Sequence, residues 1–190
     1  VKPSYYGGHN WNPMAFNPET GLVYIPTLDV PMAYGHDANF QFRPGQSNLG
    51  IDLIVVALPD DVATLRAIKS LLKGDLVAWD PVAQKEAWRV ELAGPGNGGV
   101  LATAGNLVFQ GTADARFVAY RADNGTKLWE TPTQAGVVAA PMSYEIDGEQ
   151  YVAVLAGWGG ALPLVSGGFT ANTGANPRRL LVYKLGGKLA

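Results

Sequence analysis

The stretches VAWDPVAQKEAWRVEL (77–92) and VAYRADNGTKLWETPT (118–133) decide how this chain folds. Laid over one another they place Ala78 on Ala119, Asp80 on Arg121 and Trp88 on Trp129, two tryptophans 41 residues apart. Each copy joins two short apolar runs through a polar turn. A repeat of about 40 residues built from such strands is the mark of a β-propeller blade. In that architecture chemistry sits in the loops between strands and in residues facing the central channel.

Working outward, the second copy belongs to four strand-length pieces at 99–104, 107–111, 117–121 and 127–131. Asn124-Gly125 between the last two is a strong hairpin signal. Upstream, the turn Asn17-Pro18-Glu19-Thr20-Gly21 links the apolar runs 14–16 and 22–26 as another hairpin. Between these lie an aperiodic loop from Met32 to Gly50, an apolar strand at 51–58 and the segment DDVATLRAIKSLLKG. That segment has apolar residues at Val62, Leu65, Ile68 and Leu72, a cap at Asp60 or Asp61 and a stop at Gly74, which predicts a helix inserted within one blade to cover a sheet edge. Downstream, strands are expected at 137–144, 151–156 and 179–185, with the glycine-rich GWGGALPLVSGGFTANTGANP between the last two. The chain therefore reads as all-β: a sector of about four blades of a β-propeller over residues 1–185, with one short helical insertion and a linker or tail at 186–190.

Composition narrows the function classes. Of 190 residues, 47% are apolar, and the net charge of −2 with only 14 Lys and Arg supplies no basic stripe for nucleic acid. No apolar run approaches the roughly 18 residues that cross a bilayer. Zero Cys excludes disulfides and thiolate metal sites in this stretch. Gly 24 and Pro 13 suit many tight turns. The opening VKPSYYGGHNW has neither a start methionine nor a charged segment followed by an apolar one, and reads as the middle of a domain.

The strings GGHNWNPMAFNPETGLVYIP, LVAWDP, GNGGVLATAGNLVFQGTADARFVAYRADNGTKLWE, GVVAAPMSYEIDGEQYVAVLAGWGG and LVYKLGG, in this order, resemble the C-terminal part of the propeller in pyrroloquinoline-quinone (PQQ)-dependent alcohol dehydrogenases. The likeness is to the quinohaemoprotein branch, whose eight-bladed propeller precedes a cytochrome c domain. The resemblance implies cofactor contact by Asn10 and Trp11 from the family's Asn-Trp pair, and by Trp158 and Ala161 from its glycine-rich turn. The position of Ala161 is a large aromatic in methanol-oxidising relatives. Trp88 and Trp129 match the docking tryptophans that tie blades together. Gly96 departs from the tryptophan that relatives often carry before Asn-Gly-Gly.

By the same resemblance, an aspartate takes the alcohol proton, calcium polarises the quinone, and electrons pass to a cytochrome c in the periplasm. The calcium ligands, the catalytic aspartate and a vicinal disulfide would all precede this stretch, and a haem c motif would follow it. No catalytic or metal-ligating residue is expected within the chain itself. Its partners would be a small alcohol, the rest of the propeller or further chains, and the cytochrome.

Plainer readings stand beside these. Asn10 could be a turn residue bonded to its own backbone, Trp11 a core residue and Trp158 an inter-blade plug. His9 and His36 stand without neighbours at ligand spacing, and a hydrogen-bonded histidine is the simpler reading of His9. Asp37, Asp52 and Asp114 are loop or turn carboxylates. A non-catalytic propeller scaffold that binds proteins is the competing function, and several chains completing one ring is a further arrangement.

Overall fold

A computed structural model describes residues 1–52, 61–159 and 177–187, and in them the apolar alternation becomes three antiparallel sheets. The first contains β1 (Ala15–Asn17), β2 (Leu22–Asp29), β3 (Lys73–Asp80) and β4 (Lys85–Leu92), in that order. The second contains β5 (Val100–Thr103), β6 (Leu107–Gly111), β7 (Arg116–Arg121) and β8 (Lys127–Pro132). The third has β9 (Met142–Ile146), β10 (Glu149–Ala156) and β11 (Arg179–Lys184), with β10 central.

The count of about four blades becomes three among the described residues. The opening hairpin and the 76–92 pair are one sheet, because β2 pairs β3 from Val23↔Trp79 to Asp29↔Lys73. The helix α1 (Val62–Leu71) lies between those two strands in sequence, within one blade as expected. Asp61 caps it, accepting from the Thr64 N–H at 2.7 Å. It does not serve as an edge cover among the described residues. Val62 and Leu71 are exposed and Ile68 is half-buried, and full burial comes only at Leu72, beyond its end. Gly74 does not stop the helix either; it sits in β3, where a Cβ would lie 2.7 Å from the Gly94 carbonyl. Of the strand expected at 51–58, Ile51 bridges His36 and the remainder lies outside the described residues.

The tryptophan repeat is reproduced in three dimensions. Ala78 pairs Trp88 and Ala119 pairs Trp129, and in both sheets the register shifts just after the alanine. The turns match too: Gln84 and Gly125, four residues after Asp80 and Arg121, share the left-handed conformation at φ 52° and 72°. The Gly125 N–H donates to the Arg121 carbonyl and the Gly21 N–H to the Asn17 carbonyl, each at 2.9 Å.

Strand alternation sends successive side chains to opposite neighbours. Val108, Val118 and Tyr120 face the first sheet, meeting Leu22, Tyr24, Leu76 and Ala78. Phe117, with Leu101 and Phe109, meets Val152, Val154, Ala156, Leu181 and Tyr183 of the third. Burying each large side chain contributes about 1.5–3 kcal/mol, so these two seams hold the blades together. Trp88 lies in the first seam and donates from its indole N–H to the Ala122 carbonyl at 3.0 Å. Trp129 sits edge-on to Tyr183 across the second seam, centroids 5.3 Å apart. Both tryptophans therefore link adjoining blades.

Candidate functional site

Antiparallel order sorts the connections into two ends. Turns at 18–21, 81–84, 104–106 and 122–126 lie at one end. The loops before β1, β5 and β9, together with 112–115 and the segment after β10, lie at the other. The inner strands β1 and β5 pack side by side there.

At this second end three loops are joined through Asn12. Its side-chain Nδ2 donates to the Asn97 carbonyl at 3.0 Å and reaches the Val138 carbonyl at 3.5 Å. The Pro13 carbonyl accepts from the Val100 N–H at 3.0 Å. Close approach requires glycine: a Cβ on Gly99 would lie 2.6 Å from Pro13 Cδ, and one on Gly98 would lie 2.6 Å from the Ala139 carbonyl. Buried Asn97 tightens the middle loop, donating to the Gly94 carbonyl at 2.7 Å and accepting from the Ala113 N–H at 3.0 Å. Fully buried Gln110 donates to the Gly98 carbonyl at 3.0 Å.

Asn10 and Trp11 stand at the exposed margin of this junction. Asn10 makes the local bonds of a turn residue: Nδ2 donates to the Tyr6 carbonyl at 3.1 Å, and Oδ1 accepts from the Trp11 N–H at 2.8 Å. One of its two amide N–H groups remains for another acceptor. The Trp11 side is no core residue, since the residue is 53% exposed. Trp158 is half-buried against the loop before β9, where a Cβ on Gly136 would meet its ring at 2.6 Å. The Gly157 N–H fixes the same contact by donating to the Gly136 carbonyl at 2.9 Å. Ala161 lies outside the described residues. The strand expected from Val137 begins only at Met142, because Val137 is occupied by a parallel bridge to Gly157 and by the Thr112 carbonyl, 3.0 Å from its N–H.

His9 takes the simpler role: Nδ1 donates to the Pro26 carbonyl at 2.7 Å. Tyr5 and Tyr6 pair through their hydroxyls at 2.7 Å. Burial, and then the Tyr5 hydroxyl, raise the Tyr6 phenol above its ordinary value, so it is neutral at physiological pH. No group of three or more His, Asp or Glu converges as a metal site among the described residues. Sequence reading passed over Asn12, Asn97 and Gln110. The available signal was an amide beside Pro or Gly, in two loops for Asn12 and Asn97 and at the end of a strand for Gln110.

The groups at this end are of the kind that hold a flat, carbonyl-bearing heterocycle. Two indoles, an amide donor and glycine-lined backbone suit stacking and in-plane hydrogen bonds. The sequence family described as "Glucose/ethanol/alcohol dehydrogenase, beta-propeller domain" (PQQ) matches residues 67–152. A solved quinohemoprotein alcohol dehydrogenase, ADHIIG from Pseudomonas putida, superposes with a TM-score of 0.92 at 44% identity, covering 100% of this chain and 28% of that one. This is a sector of a quinoprotein alcohol dehydrogenase-type propeller.

Among curated relatives of this propeller sector, quinohemoprotein alcohol dehydrogenase ADH-IIG of Pseudomonas putida is 46% identical over 189 residues, 98% of this chain and 26% of its own length. The 1-butanol dehydrogenase (cytochrome c) of Thauera butanivorans is 45% identical over 183 residues, 94% of this chain and 25% of its own length. The chain thus spans about a quarter of the curated relatives it matches. Among the described residues no helix is long and apolar enough to cross a membrane.

Proposed function

We propose that this sector forms one wall of a PQQ site in an enzyme that oxidises alcohols to aldehydes or ketones, and that it is inactive by itself. The observation that carries the reading is Trp11. It is more than half exposed beside the three-loop junction, in a chain that aligns over 98% of its length with a quinohemoprotein alcohol dehydrogenase. When bound, the quinone supplies a two-electron acceptor for the alcohol carbon.

The residues of this chain bind and orient. The spare N–H of Asn10 would donate to a carbonyl oxygen of the quinone and so hold and orient it. The faces of Trp11 and Trp158 exclude water and fix the plane of the ring system. The resemblance to PQQ enzymes assigns Ala161 to the same cofactor. The proton acceptor for the alcohol, and the calcium ligands, come from outside this chain. A haem c domain and a cytochrome c acceptor complete the electron route, in a periplasmic setting. Residues 1–185 are the propeller portion, and 186–190 a linker or tail.

The test uses the complete protein in which this segment resides. With PQQ, calcium, a primary alcohol and a dye acceptor it should turn over, whereas the 190-residue chain alone should not. In the complete protein, Asn10→Ala should weaken quinone binding by about tenfold, the loss of one hydrogen bond to a charged or developing-charge acceptor. Turnover by the isolated chain would overturn the assignment of roles.

A further inference from the structure

We infer that Asn12 is a positioning residue for the quinone wall, setting where Asn10 and Trp11 stand relative to the loops of the next two blades. This rests on the reading of Asn10 and Trp11 as that wall.

The arc carrying Asn10 and Trp11 is held at both ends. On its N-terminal side His9 Nδ1 donates to the Pro26 carbonyl at 2.7 Å, and the Leu28 N–H donates to the Gly8 carbonyl at 2.8 Å. Both anchors lie within the first blade, on β2. Among the described residues, hydrogen bonds to other blades come from the C-terminal side. There Asn12 addresses the Asn97 and Val138 carbonyls, and the Pro13 carbonyl takes the Val100 N–H. The Pro13 bond reaches the second blade alone. The one side-chain link described from this arc to the loop before the third blade is Asn12 Nδ2 to Val138, across 126 residues of sequence.

The chemistry is directional. A primary amide carries two N–H donors on one nitrogen, matching two carbonyl oxygens that can only accept. A carboxylate of the same shape would point oxygen at both carbonyls. Glycine packing at 98–99 brings the three loops close enough for one short side chain to span them. A flat ligand touched by groups from several loops depends on their mutual spacing to a fraction of an ångström. Loosening Asn12 would let the Asn10–Trp11 arc drift with the first blade while Trp158 stays with the third, where it is pinned on Gly136.

The experiment titrates PQQ into the calcium-containing apo form of the complete protein, following tryptophan fluorescence, and measures apoprotein melting in parallel. Asn12→Asp and Asn12→Ala should raise the PQQ dissociation constant about fivefold to tenfold. They should leave apoprotein melting within a few degrees of the parent and the KM for alcohol unchanged. Should Asn12→Asp fail to fold, Asn12→Ser supplies the same reading with a neutral donor. Lower apoprotein melting with unchanged PQQ affinity would make Asn12 an ordinary structural tie and overturn the inference. Unchanged affinity in the Asn12 variants alongside weakened binding in Asn10→Ala would overturn the inference and leave the quinone wall standing. Unchanged affinity in both sets would remove the wall itself.

Discussion

The ring of Trp88 packs against Gly125, close enough that a Cβ there would come within 2.7 Å of Cε3. Gly125 belongs to the next blade, and its φ of 72° is one that side chains rarely adopt. The aligned turn of the first blade holds Gln84 at φ 52°. Gly125 therefore answers two demands, a left-handed backbone and room for the indole, whereas the equivalent position meets the left-handed backbone with a glutamine.

Opposite outcomes follow for the two turns. Gly125→Ala should destabilise the fold by about 1–3 kcal/mol, through strain and displacement of Trp88. Gln84→Gly should raise stability by up to about 1 kcal/mol, since the left-handed penalty of a side chain exceeds the entropy cost of glycine there. Chemical denaturation midpoints of the two variants, measured side by side, check the contrast.

The docking tryptophans should differ in weight. Trp88→Phe keeps the ring but removes the donor to the Ala122 carbonyl, which also accepts from the Tyr24 hydroxyl at 3.0 Å. The expected cost is about 1–2 kcal/mol. Trp129 is 41% exposed, so Trp129→Phe should cost less than Trp88→Phe. Equal destabilisation in an unfolding titration would contradict the asymmetry between the seams.

High pH should loosen the first seam. Burial pushes the Tyr120 phenol from 10.0 up to about 12. A pKa raised on folding means the folded state holds the proton more tightly. The stabilisation is complete below pH 10 and disappears as pH climbs towards about 12. Tyr120→Phe should blunt this dependence without abolishing it, because burial also raises Tyr24 and Tyr183. Stability measured across that window, with phenolate absorbance as the companion signal, provides the check.

The outer face of the third sheet should respond in opposite senses in two settings. Register places Met142, Leu155, Leu180 and Val182 on one face, all of them exposed. Leu155→Glu should make the 190-residue chain more soluble and reduce its binding of an apolar dye. In the complete protein, where a further blade would pack on this face, the same change should lower the melting temperature.

The sequence made some of this plain because the relevant signals are local. A tryptophan, a turn and an alanine at fixed spacing report one hairpin and its register, and both copies fold as aligned, down to the shift after Ala78 and Ala119. The pairing of Val23 with Trp79 was hidden because the insertion after Asp29 separates the two strands in sequence. Strand propensity suggested an early start at Val137, and a tertiary contact with Gly157 overruled it. The Asn10-Trp11 pair was visible only through its likeness to known enzymes. Its anchoring by Asn12 was not visible at all, since it depends on carbonyls 85 and 126 residues away.

That anchoring has an evolutionary corollary. The acceptor at position 138 is a peptide oxygen, which any amino acid would present equally well. Natural variants could exchange Val138 freely while the amide at position 12 went on doing its work. Co-substitution statistics, which look for paired drift between two sites, would be blind to a fastening made this way.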